Sequence, residues 1–138
     1  EGEFIWGSNA TVLENAIVLS LAAHFQNQAD YKAAAQDQLH YILGRNPLSV
    51  CYVTGAGALS PQKPLFPDGL LGNAKAPVPG MVVAGPNQFL NDSVLKGIFT
   101  TTTPPARIYH DSMESFSSNE VSINWNAALV YVLTALSQ

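Results

Sequence analysis

The sequence predicts an all-α protein that carries one long irregular segment, and three observations predict it. Two N-terminal stretches repeat apolar residues at three- and four-residue steps. The C-terminal stretch VSINWNAALVYVLTALSQ is apolar on every side. Between them, all nine prolines and eight of the ten glycines fall between Gly44 and Pro105, which argues against long helices there.

The first helix is predicted over about 8–26, where Val12, Leu13, Ala16, Ile17, Leu19, Ser20, Ala23 and His24 recur at helical spacing. Thr11 and Glu14 have the spacing of a capping box near its start. Asn27–Asp30 is a polar break. A second helix is predicted over about 31–44, with Ala33, Ala34, Ala35, Leu39, Ile42 and Leu43 as its apolar side and Gly44 and Pro47 as its stop. A short polar connection makes the pair an antiparallel hairpin. The loop region then runs over about 45–118, with Val50–Thr54 and Met81–Val83 as candidate short strands. The last helix, over about 119–136, has no formal charge after Glu120 and is expected to be buried. About seventy irregular residues are hard to fit in a small compact domain, and these helices cannot hide one another. The whole chain, 1–138, is therefore expected to be a segment of one larger domain, whose remaining helices cover the apolar faces.

Composition narrows the function classes. The 138 residues are 47% hydrophobic and 12% charged, with a net charge of −4, so a disordered chain is ruled against. Six scattered Lys and Arg residues give no basic footprint for nucleic acid. No apolar run is long enough to cross a bilayer, and EGEFIWGSN has neither the basic start nor the apolar core of a signal peptide. The single cysteine, Cys51, has no internal disulfide partner. Asn9-Ala10-Thr11 and Asn91-Asp92-Ser93 fit the glycosylation pattern.

Chemistry concentrates in YHDSMESFSSNEVSINWNA. Tyr109, Asp111, Phe116, Glu120, Ser122, Asn126 and Ala127 fill, at matching spacing, the C-terminal active-site signature that this stretch resembles, that of glycoside hydrolase family 9. Its members are mostly cellulases and endoglucanases. FIWGSNATVLENAIVLSLAAHF, YILGRNPLSVCYVTG and APVPGMVVAGPN are similar to further segments of that family. The resemblance covers nearly the whole chain but only the final quarter to third of a catalytic domain. It implies the C-terminal portion of an (α/α)6 barrel, with the irregular region forming active-site loops. It also implies a secreted or periplasmic enzyme that cuts β-1,4-linked glucan.

By the same resemblance Glu120 is the general acid of an inverting hydrolysis, and Asp111 supports it. An inverting glycosidase protonates the leaving oxygen with one carboxyl and activates water with another on the opposite face of the sugar. The donor must hold its proton near neutral pH, which apolar surroundings or a neighbouring negative charge favour. Tyr109, Phe116, Phe66, Trp125 and Asn119 are the candidates for shaping the sugar site. A second reading of Glu120 is structural, since Ser117-x-x-Glu120 is itself a capping box at a helix start. Asp111 has a turn or N-cap role as its alternative. The family's base aspartates lie in a DAGD-like segment that this chain lacks, and Asp30, Asp37, Asp68 and Asp92 do not occupy that context. The segment alone is therefore expected to be inactive.

The sequence departs from the family where YVTG leads to a His-x-Arg pair: Leu65 and Pro67 occupy those positions, and Leu59 and Cys51 also differ. Leu and Pro cannot make the hydrogen bonds of His and Arg. Lys63 could help rebuild a platform, and Phe66 offers a ring for a pyranose face. Two other readings follow: a relative acting on another sugar such as glucosamine oligomers, and a non-catalytic carbohydrate-binding remnant. A helical interaction module with an accidental match is a third. His110, Asp111 and Glu114 lack the spacing of a metal site, so no metal is assigned. No cofactor is expected. Calcium on oxygens of loops such as GPNQFLNDS is not specified by any spacing. The expected partners are the glucan or oligosaccharide substrate and the N-terminal remainder of the same catalytic domain.

Overall fold

A computed structural model describes residues 2–66 and 76–137. Pro67 and Asp68 lie outside the described residues. Five helices order the chain among those residues: α1 (Ser8–Gln26), α2 (Ala29–Ile42), α3 (Ser93–Ile98), α4 (Phe116–Asn119) and α5 (Ile123–Leu136), with a 3-10 turn at Pro105–Arg107. Asn27, with φ 52° and ψ 41°, turns the chain out of α1. Asparagine tolerates this left-handed conformation, and only Gln28 separates it from α2, so the two helices form a hairpin. Both pack with α5.

The core lies where these three helices meet two extended stretches of the loop region. Leu13 and Ala16 of α1, Leu39 and Ile42 of α2, and Ala128, Leu129 and Val132 of α5 enclose Cys51, Tyr52, Val53, Val82 and Val83. A smaller cluster joins Leu90, Leu95 and Ile108, with Phe99 against it. The stretches expected as strands over Val50–Thr54 and Met81–Val83 meet through a single antiparallel bridge, Val53 with Val82. Only isolated bridges form among the described residues, because each extended run turns away after two or three residues.

Side-chain clamps replace regular pairing in the loops. Asp92 is 2% exposed and caps α3 by accepting from Leu95 N at 2.8 Å. The same carboxylate accepts from Ser115 Oγ, Ser117 N and Ser117 Oγ, tying α3 to α4. Asn126 accepts from Val82 N at 3.0 Å and donates to Ser122 O at 2.8 Å, tying the start of α5 to the Met81–Val83 run. Asn9 donates to Val83 O at 2.9 Å, and its own N–H donates to Ala84 O at 3.0 Å.

Four local expectations are corrected. Helix α1 starts at Ser8 behind Gly7, with no side-chain cap, so Thr11 lies inside it and the Thr11–Glu14 box does not form. The helix expected over 119–136 begins at Ile123, because residues 119–121 are drawn into backbone pairing with other loops. That helix is not buried all round here: Ala128, Leu129 and Val132 are buried, whereas Ile123 is 90% and Val130 65% exposed. One face meets α1 and α2, and the other is left open. Of the two glycosylation patterns, Asn9 is fully buried, so only Asn91 is accessible.

Candidate active site

Glu120 sits between two helices, at neither's N-terminus. It follows the four-residue α4 in extended conformation, φ −67° and ψ 150°. The Ser117–Glu120 capping box is therefore absent, and the Ser117 hydroxyl goes to Asp92 instead. Main-chain bonds hold the residue on both sides. Leu65 N donates to Asn119 O at 2.8 Å and Val121 N to Leu65 O at 3.0 Å, a parallel bridge between Leu65 and Glu120. On the opposite side Ala84 N donates to Glu120 O at 2.9 Å, next to an antiparallel bridge between Val83 and Val121.

The half-buried Glu120 side chain meets an aromatic rim. Trp6 Nε1 donates to Glu120 Oε2 at 3.1 Å. The Trp6 ring lies against Phe116, with centroids 5.2 Å apart and planes tilted by 55°. Trp6 is 44% exposed and Phe116 36%, so this rim is open on one side. Gly7 makes the geometry available: at φ +84° it turns the chain from Trp6 into α1, and a Cβ there would stand 3.0 Å from Trp125 Cζ2. Trp125 is thus a packing ring that supports the start of α1 from α5.

Asp111 holds the loop that flanks Glu120. Its Oδ2 accepts from Gln62 N at 2.7 Å, and its Oδ1 accepts from Lys63 N and Asn119 Nδ2, both at 2.9 Å. Two residues further on is Leu65, the bridge partner of Glu120. Asn119 is fully buried and completes the clamp, donating to Lys63 O at 2.7 Å and accepting from the Tyr109 hydroxyl at 2.7 Å. Tyr109 also packs edge-on against Tyr52, centroids 5.2 Å apart. Burial, then the nearby Asp111 and Tyr52, push the Tyr109 phenol well above its usual range.

The candidate residues thus divide. Glu120 and Phe116 come together at the open rim, joined by Trp6. Asn119 and Tyr109 are engaged in an internal network, so their polar atoms are committed to neighbours instead of a sugar. Trp125 packs behind the rim, and Phe66 is half-buried just past Leu65. Sequence reasoning missed Trp6 as a site residue, although the WGSN segment had drawn attention to its neighbourhood. Among the described residues, no three His, Cys, Asp or Glu side chains converge in the manner of a metal site. A cavity of about 770 Å³ lies elsewhere, lined by His24, Gln28, Lys32 and Tyr131 among others. Helical rise along α1 puts it roughly 20 Å from Trp6. None of its lining residues among the described residues carries a carboxylate.

An all-α scaffold with a carboxylate between two helices, and aromatic rings just before the first helix and at the start of α4, sets the class to compare. The family model for glycosyl hydrolase family 9 matches residues 3–133, and the chain belongs to that family. It is 37% identical to a cellodextrinase of Butyrivibrio fibrisolvens over 99% of this chain and 25% of that protein. It is 40% identical to a xyloglucan-specific endo-β-1,4-glucanase of Bacteroides ovatus, over 97% of this chain and 22% of the relative. A thermostable endoglucanase of Alicyclobacillus acidocaldarius superposes with a TM-score of 0.91 at 37% identity, covering 97% of this chain and 25% of that one. The fold is accordingly the C-terminal portion of an (α/α)6 barrel, the fold of these neighbours. The chain spans about a quarter, or less, of the length of these relatives. No described helix is long and apolar enough to cross a membrane.

Proposed function

We propose that this chain is the general-acid segment of an inverting glycoside hydrolase acting on β-1,4-linked glucan or a related oligosaccharide. Glu120 gives its proton to the glycosidic oxygen as the bond to C1 breaks and its electron pair moves to that oxygen. Water adds to C1 from the opposite face and gives a proton to a base aspartate outside this segment. The observation that carries the reading is the open rim where the Glu120 carboxyl stands beside two aromatic rings on a backbone held from both sides. Aromatic faces suit the C–H face of a pyranose, and a fixed backbone suits an acid that must meet one oxygen.

Asp111 acts as a positioning residue in this account: it anchors Gln62 and Lys63, and through them Leu65 beside Glu120. The segment alone is inactive because its base lies elsewhere, and the site needs no cofactor. Relatives named for cellodextrin and xyloglucan support a β-glucan substrate. A polymeric β-glucan cannot cross a membrane, so an enzyme that cuts the polymer acts outside the cytoplasm, secreted or periplasmic.

A second reading is a different sugar. Leu65 pairs directly with Glu120 and offers no hydrogen bond from its side chain, so sugar recognition beside the acid differs from that of a histidine. Offering cellotetraose and a chitosan tetramer to the complete catalytic domain, and following the anomer of the first product, tests both. Release of the α-anomer from cellotetraose supports the proposal. Cleavage of chitosan tetramer alone moves the assignment to glucosamine oligomers, and no cleavage of either leaves a carbohydrate-binding remnant.

A further inference from the structure

We infer that Trp6 is a positioning residue for Glu120, and that its indole N–H fixes the acid's proton on Oε1. The inference rests on the general-acid reading above. An indole N–H can donate and cannot accept. With Trp6 Nε1 at 3.1 Å from Oε2, that oxygen is an acceptor whether the carboxyl is ionised or neutral. In a neutral carboxyl the carbonyl oxygen is the better acceptor, so Oε2 takes that role and the O–H belongs to Oε1. The proton therefore sits on the oxygen that Trp6 leaves free to meet a leaving group.

Both ends of this contact are anchored, and the anchors meet at Ala84, which accepts from Asn9 N and donates to Glu120 O. On one side Ser8 Oγ donates to Pro86 O at 2.7 Å, Asn9 bonds to Val83 and Ala84, and Gly7 sets the turn that delivers the ring. The ring itself rests on Phe116. On the other side Leu65 and Ala84 hold the Glu120 backbone. As the proton moves from Oε1 to the glycosidic oxygen, Glu120 is left as a carboxylate and Trp6 remains its donor. Hydrogen bonds to a charged acceptor are stronger than those to a neutral one, so the contact tightens along the reaction. Such an interaction favours the transition state over the bound substrate and shows in kcat more than in KM.

The test uses the complete catalytic domain and two substrates: cellotetraose, whose leaving group needs a proton, and 2,4-dinitrophenyl β-cellobioside, whose leaving group does not. Trp6→Phe keeps a ring against Phe116 and deletes the donor. We expect kcat on cellotetraose to fall about tenfold or more beyond any loss of kcat on the dinitrophenyl substrate, because any ring contact with the sugar is common to both. A parallel Glu120→Gln variant keeps this inference separable from the reading beneath it. Full activity of Glu120→Gln on cellotetraose sinks the general acid itself. An inactive Glu120→Gln beside a Trp6→Phe with unchanged kcat overturns Trp6 alone, and so does an equal loss on both substrates. Should Trp6→Phe fail to fold, the indole N–H resonance decides: it moves upfield in Glu120→Ala if the bond exists, and stays in place if it does not.

Discussion

At the scale of single residues, burial of hydroxyls has a consequence that can be read in pH. Burial pushes the phenols of Tyr52 and Tyr109 well above the ordinary value of 10.0, with Tyr41 adding to the first and Asp111 to the second. Each keeps its proton in the folded state at a pH where the unfolded chain has lost it. The folded state then binds more protons, so stability is intact below the unfolded value and falls as pH rises beyond it. Urea midpoints measured between about pH 9 and pH 11 should decline, and Tyr52→Phe should decline less steeply than the parent. Equal slopes for both would remove the buried phenols from the explanation. Residue-level reading of the sequence was uneven for a physical reason. Glu120 and Asp111 were legible because their signature is local. The Trp6 contact spans 114 residues of sequence, so no spacing announces it. The two capping boxes failed through competition: Ser117 gave its hydroxyl to Asp92, and the first helix began one turn before Thr11.

At the scale of elements, the irregular region is ordered by close approaches between short runs. Gly85 makes one of these. It adopts φ +91°, its N–H donates to Ser118 O at 2.9 Å, and a Cβ would come within 2.4 Å of Asn9 Cγ. Asn9 is buried and bonded to Val83, so it has no room to withdraw. Gly85→Ala should cost more than about 2 kcal/mol of stability, from backbone strain and displacement of α1's first turn together. Chemical denaturation measures this, and a change under about 0.5 kcal/mol would mean that α1 and the 83–85 run are not locked together. The helices themselves were legible from periodicity, since α1 and α2 need only their own apolar stripes. The Met81–Val83 run was legible as extended chain but not as a bridge, because its pairing depends on Tyr52, Thr54 and Glu120 from elsewhere. Asn119 and Tyr109, candidates for the sugar site from sequence, join Asp111, read there as a supporting residue, in the clamp behind the 62–65 turn.

At the scale of the whole molecule, the open apolar surface states what the chain needs. Val18 and Phe25 on α1, with Ile123, Val130 and Leu133 on α5, are exposed and uncharged. Exposed large apolar side chains on these helices mark faces that other elements cover. In a barrel of paired helices those elements are the neighbouring helices, which accounts for a C-terminal helix that reads as buried yet lies half open here. The isolated 138-residue chain should therefore melt over a broad range and bind a hydrophobic dye, while the complete domain melts cooperatively. A sharp, dye-free transition of the isolated monomer would instead describe a self-sufficient module.

The proposed role of Glu120 as the proton donor is met directly by one measurement. In the complete domain, Glu120→Gln keeps the shape of the side chain and removes the transferable proton. Its kcat/KM on cellotetraose should fall by about 10²- to 10⁴-fold relative to the parent, with an unchanged melting temperature. A value within about twofold of the parent would contradict the account.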